Sequence, residues 1–298
     1  MSERTEHHNQ LAQAVAFVQH RCPDFATSPN ADLTGIVLGS GLGALADKIE
    51  STVAIPFAEI PGFGKSTASG HRGQLILGNL DGSAVVAMAG RLHRYEGWSN
   101  EQVAFPIEVM VALGIKRFIA SNAAGGVNPK LSVGDVVIIT DHIDWLHDRQ
   151  QKALANRRTN SDAGQEFLGR APQPYSSELA EIALAASREH AFCAVKGTYL
   201  ATLGPTYETR AEYRMMRKIG ADVVGMSTVP EVLVAAKAGI PVLALSIVSN
   251  VADPDRAIVA DHSEVLQAGD AAAVKLEHIV RRVTHAARTK TIRPKAAD

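Results

Sequence analysis

Cysteine is scarce in this sequence: two residues in 298, Cys22 and Cys193, with no C-x-x-C spacing. Two such thiols cannot build a disulfide framework, and without that spacing they point to a reducing compartment and no structural zinc, with both read as packed side chains. An excess of positive charge is also missing, since 30 Lys and Arg stand against 31 Asp and Glu for a net charge of −1. The electrostatic footprint that nucleic-acid or anionic-membrane binding relies on is therefore absent, and a small-molecule partner is expected. No apolar run reaches the roughly 18 residues of a membrane span, and Met1–Gln10 is polar with no signal-like apolar stretch. A cytoplasmic protein is expected.

What is present is 46% hydrophobic and 20% charged, with 24 glycines, the composition of a large core with many tight turns. No repeat or Pro/Ser-rich linker divides the chain. The expectation is one domain over 1–298, with a core over about 30–288 and a basic tail at 289–298.

Leu11, Ala14, Val15 and Val18 share one face of a helix over 6–20. Thr34 onward reads Gly35-Ile36-Val37-Leu38-Gly39, a buried strand running into glycine. Strands at 74–77 and 84–88 flank Asp81-Gly82, a pair suited to the positive φ angles of a tight hairpin. Ser99 to Gln102 is a capping box that starts a helix running to Leu113 despite Pro106. Strands are expected at 117–121, 136–140, 194–203, 222–225 and 242–248, and helices at 177–190, 209–219, 228–238 and 262–288. The polar stretch 144–174 is a long functional loop or an insertion. The pattern predicts an α/β fold with mixed strand pairing.

Chemistry gathers where strands stop. Gly39-Ser40-Gly41-Leu42-Gly43, placed between a strand and a predicted helix, either presents backbone N–H groups and a hydroxyl to an anion or is only a tight turn. In Gly90-Arg91-Leu92-His93-Arg94-Tyr95-Glu96-Gly97, extended geometry puts Arg91 and His93 on one side, as a phosphate dianion would need; a loop with internal salt bridges is the plainer reading. Ser121-Asn122-Ala123-Ala124-Gly125-Gly126 allows close ligand approach or makes a turn. Thr228 to Glu231 reads as a capping box that sets a helix start beside Ser227. A second box, Thr209 to Glu212, leaves Tyr207 and Glu208 just outside a helix, where Glu208 either faces a ligand or favours the helix dipole. Ligands of open α/β sheets bind at such strand ends, and four of them offering Gly, Ser, Asn, Arg or His point to one anion site.

These strings, in this order from about Gly35 to Gly269, closely resemble the trimeric purine nucleoside phosphorylases. G-S-G-L-G, G-R-x-H-x-Y-E-G, N-A-A-G-G-x-N, G-P-x-Y-E-T and G-M-S-T-V-P-E are all present. The resemblance implies a mixed, partly barrel-like sheet flanked by helices, in a homotrimer with active sites near the interfaces. It implies reversible phosphorolysis of purine nucleosides to free base and ribose 1-phosphate, with inorganic phosphate as co-substrate and no cofactor or metal. Phosphate would be held by Ser40, His71, Arg91, His93, Asn122, Ala123 and Ser227, and the purine by Ala123, Tyr207, Glu208, Met226 and Asn250. The sugar would meet Tyr95, Met226 and His262, with Phe167 of a neighbouring subunit as the aromatic lid. Asn250, Glu208 and His93 are then the catalytic candidates. Glu208 would accept from N1–H and the 2-amino group, and Asn250 would donate to N7 as the leaving purine gains charge.

Asn250 and His262 favour 6-oxopurine nucleosides of the guanosine and inosine type, since the related methylthioadenosine phosphorylases carry an aspartate and a small apolar residue there. The chain departs from the family pattern in three places. The 144–174 segment keeps only Phe167-Leu168-Gly169-Arg170-Ala171-Pro172 of the usual string, Ser249 and Val251 replace Thr and Lys around Asn250, and Tyr207 stands where many members have Phe. The alternatives are a methylthioadenosine phosphorylase, a hydrolytic nucleosidase, or a nucleoside-binding protein without catalysis; a dehydrogenase lacks the acidic residue a dinucleotide ribose needs. Asp141, His142, Asp144, His147 and Asp148 have no standard metal-ligand spacing.

Overall fold

The computed structural model describes residues 3–23, 32–39, 42–65, 72–146, 173–255 and 262–289. Nine strands form one sheet: β1 (Thr34–Leu38), β2 (Glu50–Pro56), β3 (Gln74–Leu80), β4 (Ser83–Ala89), β5 (Arg117–Gly126), β6 (Val136–Asp144), β7 (Ala194–Ala201), β8 (Val223–Gly225) and β9 (Val242–Val251). Their spatial order is β2-β3-β4-β1-β5-β8-β7-β6-β9, and β9 also pairs with β5. That last pairing closes β5, β8, β7, β6 and β9 into a ring, from which β1, β4, β3 and β2 extend as an open arm. Pairing is mixed, as expected: β1 runs parallel to β4 and β5, whereas β6 and β9 are antiparallel.

The strands read as continuous apolar runs because the sheet is covered on both faces. Along β1, Val37 belongs to one core cluster while Ile36 and Leu38 belong to another, and β4 divides in the same way, Val86 and Met88 from Val85 and Ala87. The first face is covered by α1 (Glu3–Arg21), α2 (Asn100–Ala112) and α5 (Val229–Lys237), and the second by α3 (Ser177–Glu189) and α6 (His262–Thr289). In α1 the predicted stripe is the buried one, with Ala14 and Val18 fully enclosed. The remaining helix, α4 (Arg210–Lys218), buries Met216 in a smaller cluster with Val127, Leu200 and Val224.

The local signals that act through neighbouring backbone hold. Asp81 and Gly82 take φ 51° and 73° in the β3–β4 hairpin. Ser99 and Thr209 cap α2 and α4 in reciprocal boxes with Gln102 and Glu212. Several expectations need correction. The segment after the first glycine loop is a 3₁₀ turn, Gly43–Lys48, rather than an α-helix, and β2 was not foreseen because its Glu50-Ser51-Thr52 start breaks the apolar pattern. β7 ends at Ala201, short of Leu203, while β5, β6 and β9 run on to Gly126, Asp144 and Val251. Asn122 and Ala123 thus lie inside a strand, because β9 supplies ladder partners along that whole stretch. Cys193 is exposed, not packed.

One glycine is required where β1 meets β5. A Cβ on Gly39 would stand 2.2 Å from the backbone oxygen of Ser121 and 2.9 Å from Nη1 of Arg91. Since a backbone atom blocks it, neither strand can yield without breaking the ladder. Gly39→Ala is expected to cost roughly 3 kcal/mol of stability, the upper end of the usual overpacking penalty, measurable as a lowered urea midpoint.

Candidate active site

A cavity of about 310 Å³ opens at the ends of β4, β5, β8 and β9, and ten of the residues singled out in the sequence line it: Arg91, His93, Tyr95, Asn122, Ala123, Tyr207, Glu208, Met226, Ser227 and Asn250. Ser40, His71 and Phe167 fall outside the described residues, as does the side chain of His262, the first residue of α6.

One end of the cavity is built on a buried ion pair. Arg91 follows β4, is 1% exposed, and donates from Nε and Nη2 to the two carboxylate oxygens of Glu231 at 3.0 and 2.9 Å. Its Nη1 donates to the Ser121 carbonyl at 2.7 Å and to Ser227 Oγ at 3.2 Å. Glu231 is equally buried; desolvation pushes its carboxyl up, and Arg91 opposes that shift. The Thr228 to Glu231 capping box therefore does not form. Thr228 makes no side-chain cap bond, because Glu231 is committed to Arg91.

Thr228 instead bends the chain. Its φ of 73° and ψ of −49°, with Val229 N–H donating to the Ser227 carbonyl at 2.8 Å, make a γ-turn, a strained conformation for a β-branched residue. Surrounding polar bonds hold it. Asn122 Nδ2 donates to Thr228 Oγ1 at 2.9 Å, Ser246 Oγ donates to Asn122 Oδ1 at 2.8 Å, and the hydroxyls of Ser227 and Thr228 lie 3.1 Å apart. Ser227 N–H reaches the hydroxyl of Tyr199 at 3.3 Å, and burial raises that phenol to about 12. Strain of this kind persists only where the surroundings over-determine it, as they do here.

His93 is oriented by Glu96, whose Oε1 accepts from the His93 backbone N–H at 2.8 Å and lies 2.9 Å from its Nδ1. A carboxylate only accepts, so Nδ1 carries the hydrogen. The ring stacks on Tyr95 with centroids 4.7 Å apart.

The other end is shaped by a β-bulge. The β5–β9 register runs from Ala124↔Val248 to Gly125↔Asn250, leaving Ser249 as the extra residue. Ser249 Oγ donates to Asn250 Oδ1 at 3.0 Å and also lies 3.2 Å from the Ala124 carbonyl. With its oxygen engaged, Asn250 presents its NH₂ as the donor. Glu208 accepts from Thr202 Oγ1 at 3.3 Å and from Tyr213 O–H at 3.0 Å. The acid in the first turn of α4 is Glu212, so a helix-dipole role does not account for Glu208. Tyr207 is 45% exposed at the rim, and Met226 Sδ packs so closely on Gly204 that a Cβ there would sit 2.3 Å away.

Sequence reasoning missed Tyr213, Thr202 and the structural use of Glu231. Tyr213 carried a signal: it lies one helical turn after the cap Thr209, with its amide bonded to the Thr209 carbonyl, on a helix that begins next to Glu208. Glu231 carried none, since its partner is 140 positions away. Of the Asp and His group that begins at the end of β6, His142 Nδ1 lies 3.0 Å from the Tyr175 hydroxyl and Asp144 accepts from Leu146 N–H. His147 and Asp148 lie outside the described residues, among which no metal-holding cluster occurs.

Removing one member of a buried ion pair leaves the other charge uncompensated, whereas replacing both with apolar residues does not. Glu231→Ala is expected to lower stability by about 3–5 kcal/mol, and the double replacement Arg91→Met with Glu231→Leu by clearly less. Urea unfolding of both variants is the check.

Residues 34–285 match the Phosphorylase superfamily. The chain is 43% identical over 259 residues to purine nucleoside phosphorylase 1 of Bacillus subtilis, covering 87% of this chain and 92% of that protein. It is 41% identical to the purine nucleoside phosphorylase of Rattus norvegicus, with 82% and 86% covered. Among solved structures, a Schistosoma mansoni purine nucleoside phosphorylase in complex with inosine aligns with TM-score 0.78 and 35% identity, covering 97% of this chain and 98% of that one. A schistosomal enzyme in complex with hypoxanthine aligns with TM-score 0.77 and 36% identity, covering 92% and 96%. The cavity, its strand-end walls and these likenesses agree, and the chain belongs to the phosphorylase superfamily, within it to the purine nucleoside phosphorylases.

Proposed function

We propose that the phosphorolysis this chain carries out is directed at 6-oxopurine nucleosides, guanosine and inosine and their 2′-deoxy forms, with roles divided between the two ends of the cavity. The observation that carries this reading is the pairing, in one cavity, of an acceptor-only carboxylate and an oriented amide with a buried guanidinium, a histidine and small polar groups. Phosphate occupies the end lined by Arg91, His93, Asn122, Ala123 and Ser227, and the family resemblance assigns Ser40 and His71 to it as well. One phosphate oxygen attacks C1′ of the sugar, the C1′–N9 bond breaks with its electron pair going to the base, and ribose 1-phosphate results.

The departing base is the group that gains charge, so donors aimed at it lower the barrier. Asn250 donates to N7, and Glu208 accepts from N1–H and the 2-amino group. A 6-aminopurine has no hydrogen on N1 to offer Glu208, which supports the 6-oxopurine preference. Ala123, Tyr207 and Met226 pack on the base; Tyr95, Met226 and His262 meet the sugar, with Phe167 contributed by a neighbouring subunit of a homotrimer. Inorganic phosphate is the co-substrate, and the scheme uses no cofactor. No helix among the described residues is long and apolar enough to cross a membrane.

Asn250→Ala is expected to lower kcat for inosine about 100-fold, the usual loss for one transition-state donor of about 3 kcal/mol, with an unchanged melting temperature. Activity above a tenth of wild type removes Asn250 from this role. Base release from inosine, adenosine and methylthioadenosine, each with and without phosphate, tests the substrate class. Light scattering on the eluted protein tests the trimer.

A further inference from the structure

The base end of the cavity holds a hydroxyl to which the scheme above gives no part. Tyr213, on α4, lines the cavity and donates to Glu208 Oε2 at 3.0 Å. Asn250 is also among the groups that act on this hydroxyl. Both groups converge over one point of β5: a Cβ built on Gly125 would lie 3.6 Å from Asn250 Oδ1 and 3.7 Å from the Tyr213 hydroxyl. The phenol is thus bonded to the acceptor at one side of the base end and stands near the donor at the other.

Purine chemistry says what such a bridge faces. Around the ring the atoms run N1, C6, C5, N7, so a group next to both the N1 contact and the N7 contact stands opposite the substituent on C6. We propose that Tyr213 is a specificity-determining residue that reads the 6-position of the purine by donating its O–H to the 6-oxygen. The inference rests on the assignment of Glu208 to N1–H and Asn250 to N7.

The hydrogen bonds balance. In the empty site the Tyr213 proton points at Glu208. When a 6-oxopurine enters, its N1–H takes that place on the carboxylate, and the Tyr213 O–H turns to the 6-oxygen. Part of the charge of the leaving base resides on that oxygen, so the bond strengthens as the glycosidic bond breaks. Burial, and next the neighbouring charge of Glu208, hold the phenol well above its ordinary value, so the group remains a donor through the working pH range.

The test uses the full chain and two substrates that differ only at the contact: inosine and 6-thioinosine, which keeps N1–H but presents a sulfur, a weak acceptor. Tyr213→Phe retains the ring that packs beside Met216 and Val224. The expected result is a 10–100-fold fall in kcat/KM for inosine, set against a fall of at most about threefold for 6-thioinosine, with an unchanged melting temperature. An equal loss on both substrates overturns the proposal, because Tyr213 would then act only by positioning Glu208; so does no loss on either. If wild-type protein releases no base from inosine in phosphate, the 6-oxopurine reading itself fails, an outcome distinct from an active enzyme whose Tyr213→Phe variant ignores the 6-substituent.

Discussion

A guanidinium with almost no contact with water anchors this active site. Arg91 must be paired, and its partner Glu231 is supplied by α5, so the ion pair ties the end of β4 to the helix that follows β8. Between these elements lies β5, whose Ser121 carbonyl also accepts from Arg91. The γ-turn at Thr228 follows from the same constraint. With Glu231 drawn to Arg91, the chain has one residue in which to turn from Ser227 into the helix, and the Asn122 and Ser246 side chains hold it there.

The opposite end of the cavity depends on backbone irregularity instead of charge. The bulge at Ser249 interrupts the β5–β9 register and turns Asn250 into the cavity, with its amide oxygen tied back by the extra residue itself. Close approach makes room for these devices. Tyr199 presses its hydroxyl to within 2.4 Å of where a Gly225 Cβ would sit, and from there it accepts the Ser227 N–H. At Gly39, Gly204 and Gly225 a side chain or backbone of another element thus occupies the space a Cβ would need.

Elements whose signal acts over a few residues were legible. The Asp81-Gly82 hairpin, the boxes at Ser99 and Thr209 and the apolar stripe of α1 formed as read, because each rests on local torsions or on a single face. The Thr228 box has the same letters but failed, since one distant arginine outcompeted a local backbone bond for Glu231. Strand ends were misplaced for a related reason. β5 and β9 continue past their predicted ends because each supplies the other's ladder partners, which neither segment reveals alone.

By itself the sequence determined the chemical inventory of this protein: a cysteine-poor α/β chain of net charge −1 with Arg91, His93, Asn122, Glu208 and Asn250 embedded in glycine-rich strings whose order identified the family. Tertiary structure decided what each of those groups is joined to. It placed Glu231 against Arg91, Glu96 against His93 and Tyr213 against Glu208, and it closed β9 onto β5 so that two ends of one cavity face each other. The physical reason is range. Torsional preference and periodicity act over a few residues, whereas a buried charge or polar group takes whichever partner the folded chain brings within 3 Å or so, however distant in sequence.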